Sequence, residues 1–192
     1  GGLICNIVGG LASYSNDNAR SFIYIKGGTI ANIVGGAGRS PTYGDRMIQV
    51  TDGTILYSVN GGSNGIASTT SDNGTLNGNT KLYIGGNAII GAEDTLTGNT
   101  ATNGQGIATL YGTEAGCVLG AGNGNDDVDN SGQVNNSHII IDGNAIVHNN
   151  VFGGGEGNDT YTPYVKGNVV VDINGADHSP NEIIEGCLQA IQ

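Results

Sequence analysis

The residues with the clearest chemical potential are carboxylates set among glycines. Gly154-Gly155-Glu156-Gly157-Asn158-Asp159-Thr160-Tyr161 follows the calcium-binding nonapeptide pattern G-G-x-G-x-D-x-U, with Tyr161 in the apolar slot. Ala121-Gly122-Asn123-Gly124-Asn125-Asp126-Asp127-Val128 follows it with one change, and the longer strings VLGAGNGND and VFGGGEGND share six of nine positions. Carboxylates and backbone carbonyls are the hard oxygen ligands that calcium takes. In tandem arrays the ion sits between adjacent nonapeptides, whereas a long stretch of unrelated sequence separates these two copies. If both follow the same corner on consecutive turns of the chain, Asp126, Asp127 and Asp159 come together, and calcium is the one cofactor the sequence suggests. Gly-Asn-Asp is equally ordinary turn chemistry.

Asp142 and Asp172 are the other acids of interest, because each follows a run of alternating aliphatics by one residue. On adjacent strands two such carboxylates would face outward ~4.8 Å apart. Each would raise the other's pKa, which suits an acid/base pair acting on a polysaccharide. A lyase would also want a nearby base. Lys26 is too far up the chain's order of turns, while Lys166 and His148 are nearer in sequence. Tyr161 and Tyr164 are the aromatics near enough in sequence to stack on a sugar. An Asp before a tight corner also accepts backbone hydrogen bonds, and that structural role is the expectation for both acids. His138, His148 and His178 share no HxxxH spacing, and no GxSxG nucleophile motif occurs.

What positions these residues is a repeat. Residues 1–10, GGLICNIVGG, and 27–36, GGTIANIVGG, agree at eight of ten positions. Ile25, Val50, Ile84, Ile141 and Val171 each follow another aliphatic by two residues, the alternation of a strand with one buried face. Three residues after these anchors come Gly28, Gly53, Asn87, Asn144 and Asn174, and the opening match adds Gly2. Gly and Asn best tolerate a left-handed backbone, so these six positions are expected corners. Ile30, Ile55, Ile89 and Ile146, five residues after four anchors, begin a second strand that ends in a further glycine corner such as Val34-Gly35-Gly36. Along that strand Ile30, Asn32 and Val34 are expected on one side, and Asn6 and Asn32 are expected to stack as an amide ladder. Asn87, Asn144 and Asn174 are candidates for a second ladder.

From Ile25 to Val50, Val50 to Ile84 and Ile141 to Val171, the anchors recur at the interval of repeat arrays, about 20–50 residues. One strand–corner–strand unit cannot bury its apolar side alone, but stacked units bury a continuous aliphatic column. The longer gap from Ile84 to Ile141 predicts an inserted loop near 91–115, with an extra coil as the alternative. The pattern resembles the right-handed parallel β-helix proteins, the pectin-lyase-like superfamily and adhesin-like bacterial surface segments. The resemblance implies an all-β, right-handed, single-stranded parallel β-helix (solenoid) of about six coils, each roughly 25–34 residues long.

Composition agrees with an extended rather than a large-aromatic core. Gly makes up 36 of 192 residues, with no Trp, two Phe and one Met. A net charge of −11 with only six Lys and Arg argues against nucleic acid and against anionic membranes. No apolar run is long enough to span a bilayer. Cys5, Cys117 and Cys187 are odd in number and widely spaced, which favours small buried residues over a disulfide framework.

The expected function is a non-catalytic, extracellular or cell-surface stalk or adhesin segment, bacterial by resemblance. It displays variable loops (37–47, 63–79, 91–115, 124–137 and 156–167) to surface glycans or proteins. Its ends are read as uncapped, so residues 1–192 are expected to be one segment of a longer chain. Its neighbours would be other segments of that chain, or copies stacked end to end as a filament. A polysaccharide lyase or glycoside hydrolase is the alternative.

Overall fold

A computed structural model of the chain describes residues 2–10, 20–37, 41–63, 74–91, 116–123, 132–155 and 164–175. Among them the chain forms thirteen strands and no helix. The strands are β1 (Leu3–Val8), β2 (Ser21–Val34), β3 (Thr42–Tyr43), β4 (Arg46–Ile55), β5 (Ser58–Asn60), β6 (Leu76–Asn77), β7 (Asn79–Ile84), β8 (Ile89–Ile90), β9 (Cys117–Leu119), β10 (Asn136–Ile141), β11 (Ile146–Val147), β12 (Val151–Phe152) and β13 (Val169–Ile173). The fold is all-β, and the strands pair in parallel within one strongly curled sheet, with β3–β6 as a separate parallel pair.

Three columns of strands follow from the pairing. In the first, β2, β4, β7, β10 and β13 set Ile23, Ile48, Leu82, Ile139 and Val171 in one row and Ile25, Val50, Ile84, Ile141 and Ile173 in another. In the second, Ile4, Ile30, Ile55, Ile90 and Val147 align. In the third, Ile7, Ile33, Val59, Val118 and Val151 align. Members of all three columns meet in a single apolar cluster, where β-branched side chains suit the pleated surface. A smaller cluster of Leu76, Ala121 and Val134 lies beside the β3–β6 pair.

The curl explains one departure from simple alternation. Ile30 and Ile33 both belong to the central cluster, whereas period-2 geometry would send one of them outward. The chain therefore bends at Ala31–Asn32. Val34 is buried but lies outside that cluster, so it does not share a side with Ile30 as the alternation suggests.

Two register expectations are also corrected. Val171 pairs with Ile139, not with Ile141, whose partner is Ile173. The glycine corner sets this alignment: Gly175 stacks on Gly143, and the Asn174 amide donates to the Ile141 carbonyl at 2.7 Å. Likewise the residues aligned with Ile30 and Ile55 are Ile90 and Val147, while Ile89 and Ile146 align with Thr54 and turn away from the core. The first corner is one residue longer in these later turns. The extra residue is absorbed by Gly86 (φ 60°) and Gly143 (φ 66°).

The second glycine corner is a column of its own. Gly9, Gly35, Gly61, Gly120 and Gly153 lie one above another, and a Cβ on any of the first four would collide with the carbonyl oxygen of the next. They also face the first residues of the first-column strands. A Cβ on Gly9 would meet Ser21 Oγ, one on Gly61 would lie 3.0 Å from Thr80 Cβ, and one on Gly120 would strike Ser137 Oγ. Their amides continue the ladder: Gly35 N donates to Asn60 O, Gly61 N to Leu119 O and Gly120 N to Phe152 O, each at 2.8 Å. Gly91 and Gly116, which bracket residues 92–115, are adjacent, since a Cβ on Gly91 would lie 2.7 Å from Gly116 Cα.

Candidate functional site

The first column buries alternate residues, so the residues between them form an outward face. Its register places Phe22, Met47, Lys81, His138 and Val170 in one row and Tyr24, Gln49, Tyr83, Ile140 and Asp172 in the next. Phe22 and Tyr24 are 60% and 54% exposed, large apolar surfaces for a chain so poor in aromatics. Lys81 is exposed within the face, and Arg20 and Lys26 flank the outward residues of β2. Three of the six Lys and Arg of an acidic chain therefore gather around one sheet face.

Asp142 and Asp172 both reach this face, but not as the matched pair expected from sequence. Asp172 stands opposite Ile140, whereas Asp142 lies one residue beyond Ile141, so the two are staggered along the strands. Each takes a diagonal partner instead. Tyr83 Oη donates to Asp142 Oδ2 at 3.0 Å, and Gly143 N donates to Asp142 Oδ1 at 2.8 Å. His138 Nε2 lies 2.8 Å from Asp172 Oδ2 and acts as donor, because an ionised carboxylate can only accept. From spacing alone His138 reads as a solvated face residue, and Tyr83 does not stand out. The signal available is period 2: Tyr83 and Asp172 sit between inward-row aliphatics, and His138 between the buried Ser137 and Ile139.

The hydrogen bond from its phenol to the Asp142 carboxylate, with desolvation and the carboxylate's charge adding to it, raises the Tyr83 pKa above 10.0. The sign follows from linkage. A phenol held protonated by the fold contributes stability that is present below its ordinary pKa and is lost as pH rises through the higher folded value. In a spectrophotometric titration Asp142→Asn is expected to lower the pH at which Tyr83 ionises. A titration unchanged by Asp142→Asn would remove this pair from the account.

The other expected positions are distributed along the columns. Asn32 Nδ2 donates to Asn6 Oδ1 at 3.3 Å, and Ser58 Oγ donates to Asn32 Oδ1 at 3.4 Å. Asn144 Nδ2 donates to Asn87 Oδ1 at 3.4 Å, while Asn174 joins the column through its backbone. Gly28 (φ 90°) and Gly53 (φ 92°) are left-handed. In the later corners the left-handed glycines are Gly86, Gly143 and Gly175, each next to the Asn that the spacing singles out. Gly2 is exposed before β1 and is not among the left-handed glycines. Cys117 is buried and Cys5 partly buried.

One further ladder emerges only in the structure. Asn79 Nδ2 donates to Asp45 Oδ1 at 2.8 Å, Asn136 Nδ2 donates to Asn79 Oδ1 at 2.7 Å, and Asn168 N donates to Asn136 Oδ1 at 2.8 Å. Its signal is an Asp or Asn directly before each alternating run, in Asp45-Arg46-Met47-Ile48 and Asn79-Thr80-Lys81-Leu82 as in Asn136-Ser137-His138-Ile139 and Asn168-Val169-Val170-Val171. Aligned on that residue, Val171 falls beside Ile139 at once.

The calcium candidates Asp126, Asp127 and Asp159, with Cys187 and His178, lie outside the described residues. The strands leading to the two glycine-acid segments do stack: Val118 pairs with Val151, Leu119 pairs with Phe152, and Ala121 N donates to Gly154 O at 2.8 Å. Among the described residues, no three of His, Cys, Asp and Glu converge closely enough to hold a metal ion. No helix among them is long and apolar enough to cross a membrane. The chain matches no family model, no curated protein and no solved structure.

Proposed function

We propose that this chain is a non-catalytic, extracellular structural or adhesive stalk, built as a right-handed single-stranded parallel β-helix with residues 91–115 as an insertion between two strands of one coil. The observation that carries this reading is the unbroken register of the first column across five strands, repeated in the glycine column that faces it. Such stacking lets each turn contact only its neighbours and yields a stiff rod whose length follows the number of turns. Nothing in it requires chemistry. Its partners in this reading are neighbouring segments of the same kind and surface glycans or proteins, met by the variable loops and by the outward face of the first column.

One observation favours a polysaccharide-active enzyme as a second reading. Two acids, a histidine and exposed aromatics share one sheet face. Against it, Asp142 has both carboxylate oxygens engaged, and the two acids are staggered rather than opposed. The readings separate on incubation with a panel of neutral and acidic polysaccharides, monitoring co-sedimentation and the release of new chain ends. The stalk reading expects no new ends at any pH tried, with any retention on glycans weakened by Phe22→Ala and Tyr24→Ala. Steady release of ends that disappears in both Asp142→Asn and Asp172→Asn would replace it with the enzyme reading.

A further inference from the structure

The chain carries several Asn-Gly sequences, and three of them lie wholly within the described residues: Asn60-Gly61, Asn77-Gly78 and Asn174-Gly175. This dipeptide is prone to self-modification, because glycine leaves the following backbone nitrogen unshielded. That nitrogen attacks the side-chain carbonyl carbon of the asparagine. The new N–Cγ bond closes a five-membered succinimide, and the Cγ–Nδ2 bond breaks to release ammonia, which carries off the proton lost from the glycine nitrogen. Water then adds to either ring carbonyl and opens the ring to aspartate or to isoaspartate. The step needs only water as co-reactant, together with a free glycine amide and room for the ring.

The three sites differ in what holds them. Asn60 is fully buried, and Gly61 N donates to Leu119 O at 2.8 Å, inside the glycine column where added atoms collide. Asn77 is half-buried, its Oδ1 accepts from Lys166 Nζ at 3.4 Å, and Gly78 is buried against Gly44. Asn174 and Gly175 are both exposed. Neither the Asn174 side-chain amide nor the Gly175 nitrogen has a partner among the described residues. The nearest described atoms to a Cβ on Gly175 are the Gly143 backbone N and O at 3.5 Å, an ordinary contact rather than the collisions found at Gly61 and Gly78.

We infer that Asn174-Gly175 is a self-modification site, converting to aspartyl and isoaspartyl forms while the fold protects Asn77 and, most strongly, Asn60. The conversion has a structural consequence. Gly175 stacks on Gly143, so the new carboxylate arises one turn from Asp142, and the isoaspartyl form inserts an extra methylene into the backbone beside the Asn174 N to Ile141 O bond. Like charge and altered chain path together loosen β13, whose Val169, Val171 and Ile173 are already the most exposed members of their rows.

The test is incubation of the full chain at mildly alkaline pH, followed by peptide mapping with mass spectrometry and an isoaspartate-specific enzymatic assay. Asn174 is expected to convert about tenfold or more faster than Asn60, since Gly61 must first give up a buried hydrogen bond. Asn77 should fall between them. In denaturant the three rates should converge, because the same dipeptide is then equally free in each place. Asn174→Gln should abolish conversion there and keep hydrogen-exchange protection in Val169–Ile173 constant on ageing, whereas the parent chain loses it. Equal or faster conversion at Asn60 or Asn77 in the folded chain would overturn the assignment, as would a ranking that persists in denaturant.

Discussion

Replacing Gly61 with alanine is expected to destabilise the fold by about 3 kcal/mol or more, while Gly154→Ala stays within about 0.5 kcal/mol of the parent. Gly61 does not have a positive φ, so the loss is not backbone strain. It is a collision: the added methyl would meet the Gly120 carbonyl oxygen, Leu82 Cδ1 at 2.7 Å and Thr80 Cβ at 3.0 Å. Two of these obstacles are backbone or branch-point atoms of neighbouring strands, which cannot move aside without breaking the Gly61 N to Leu119 O bond. Gly154 has nothing within 4 Å of an added Cβ. Removing a glycine there restricts the unfolded chain, which favours the folded one. Urea titrations of the two variants should shift the midpoint for Gly61→Ala at constant slope and leave Gly154→Ala near the parent. Equal midpoints would mean that the glycine column is not the tight contact described.

Much of this frame is legible in the residues, and the reason is periodicity. Ile23, Ile48, Leu82 and Ile139 recur in alternating runs because one sheet face is buried, and the same burial forces their rows into register. The Val-Gly-Gly corners are legible because no larger residue fits them. What misleads is the choice of landmark at the first corner. By spacing, Asn87, Asn144 and Asn174 read as the bending residues, and a left-handed glycine stands directly beside each of them, Gly86, Gly143 and Gly175. An inference from spacing cannot tell a shorter corner from one with an extra residue, because both return an aliphatic to the core. Only the partner strand decides, through pairings such as Ile55 with Ile90. The face chemistry is less legible still. Tyr83–Asp142 and His138–Asp172 are diagonal contacts between neighbouring strands that lie far apart in the chain. The misplaced Val171 anchor conceals the second, because it shifts β13 by two residues against β10, while the first crosses β7 and β10, whose anchors Ile84 and Ile141 do pair.

If the columns are what stabilise the molecule, one truncation should have a different cost at each height in the stack. Leu82→Ala removes a side chain only 1% exposed, between Ile48 on one side and Ile139 on the other, and is expected to cost about 3–4 kcal/mol. Val171→Ala acts in the same row, but its residue is 40% exposed and has Ile139 as its one described neighbour within the row, so about 1 kcal/mol or less is expected. The difference exceeds what the extra methylene of leucine explains, which is about 0.8 kcal/mol. The remainder is the cavity left between two turns that cannot close toward each other, because backbone hydrogen bonds along the first column fix their spacing. In an array of nearest-neighbour contacts the damage is also local. Hydrogen exchange should therefore rise in β4, β7 and β10 on Leu82→Ala, with β1 and the far half of β2 least affected. A compact core shared evenly by all strands would instead lose protection everywhere at once, and that outcome, or equal costs at Leu82 and Val171, would show that the stack is not the unit of stability.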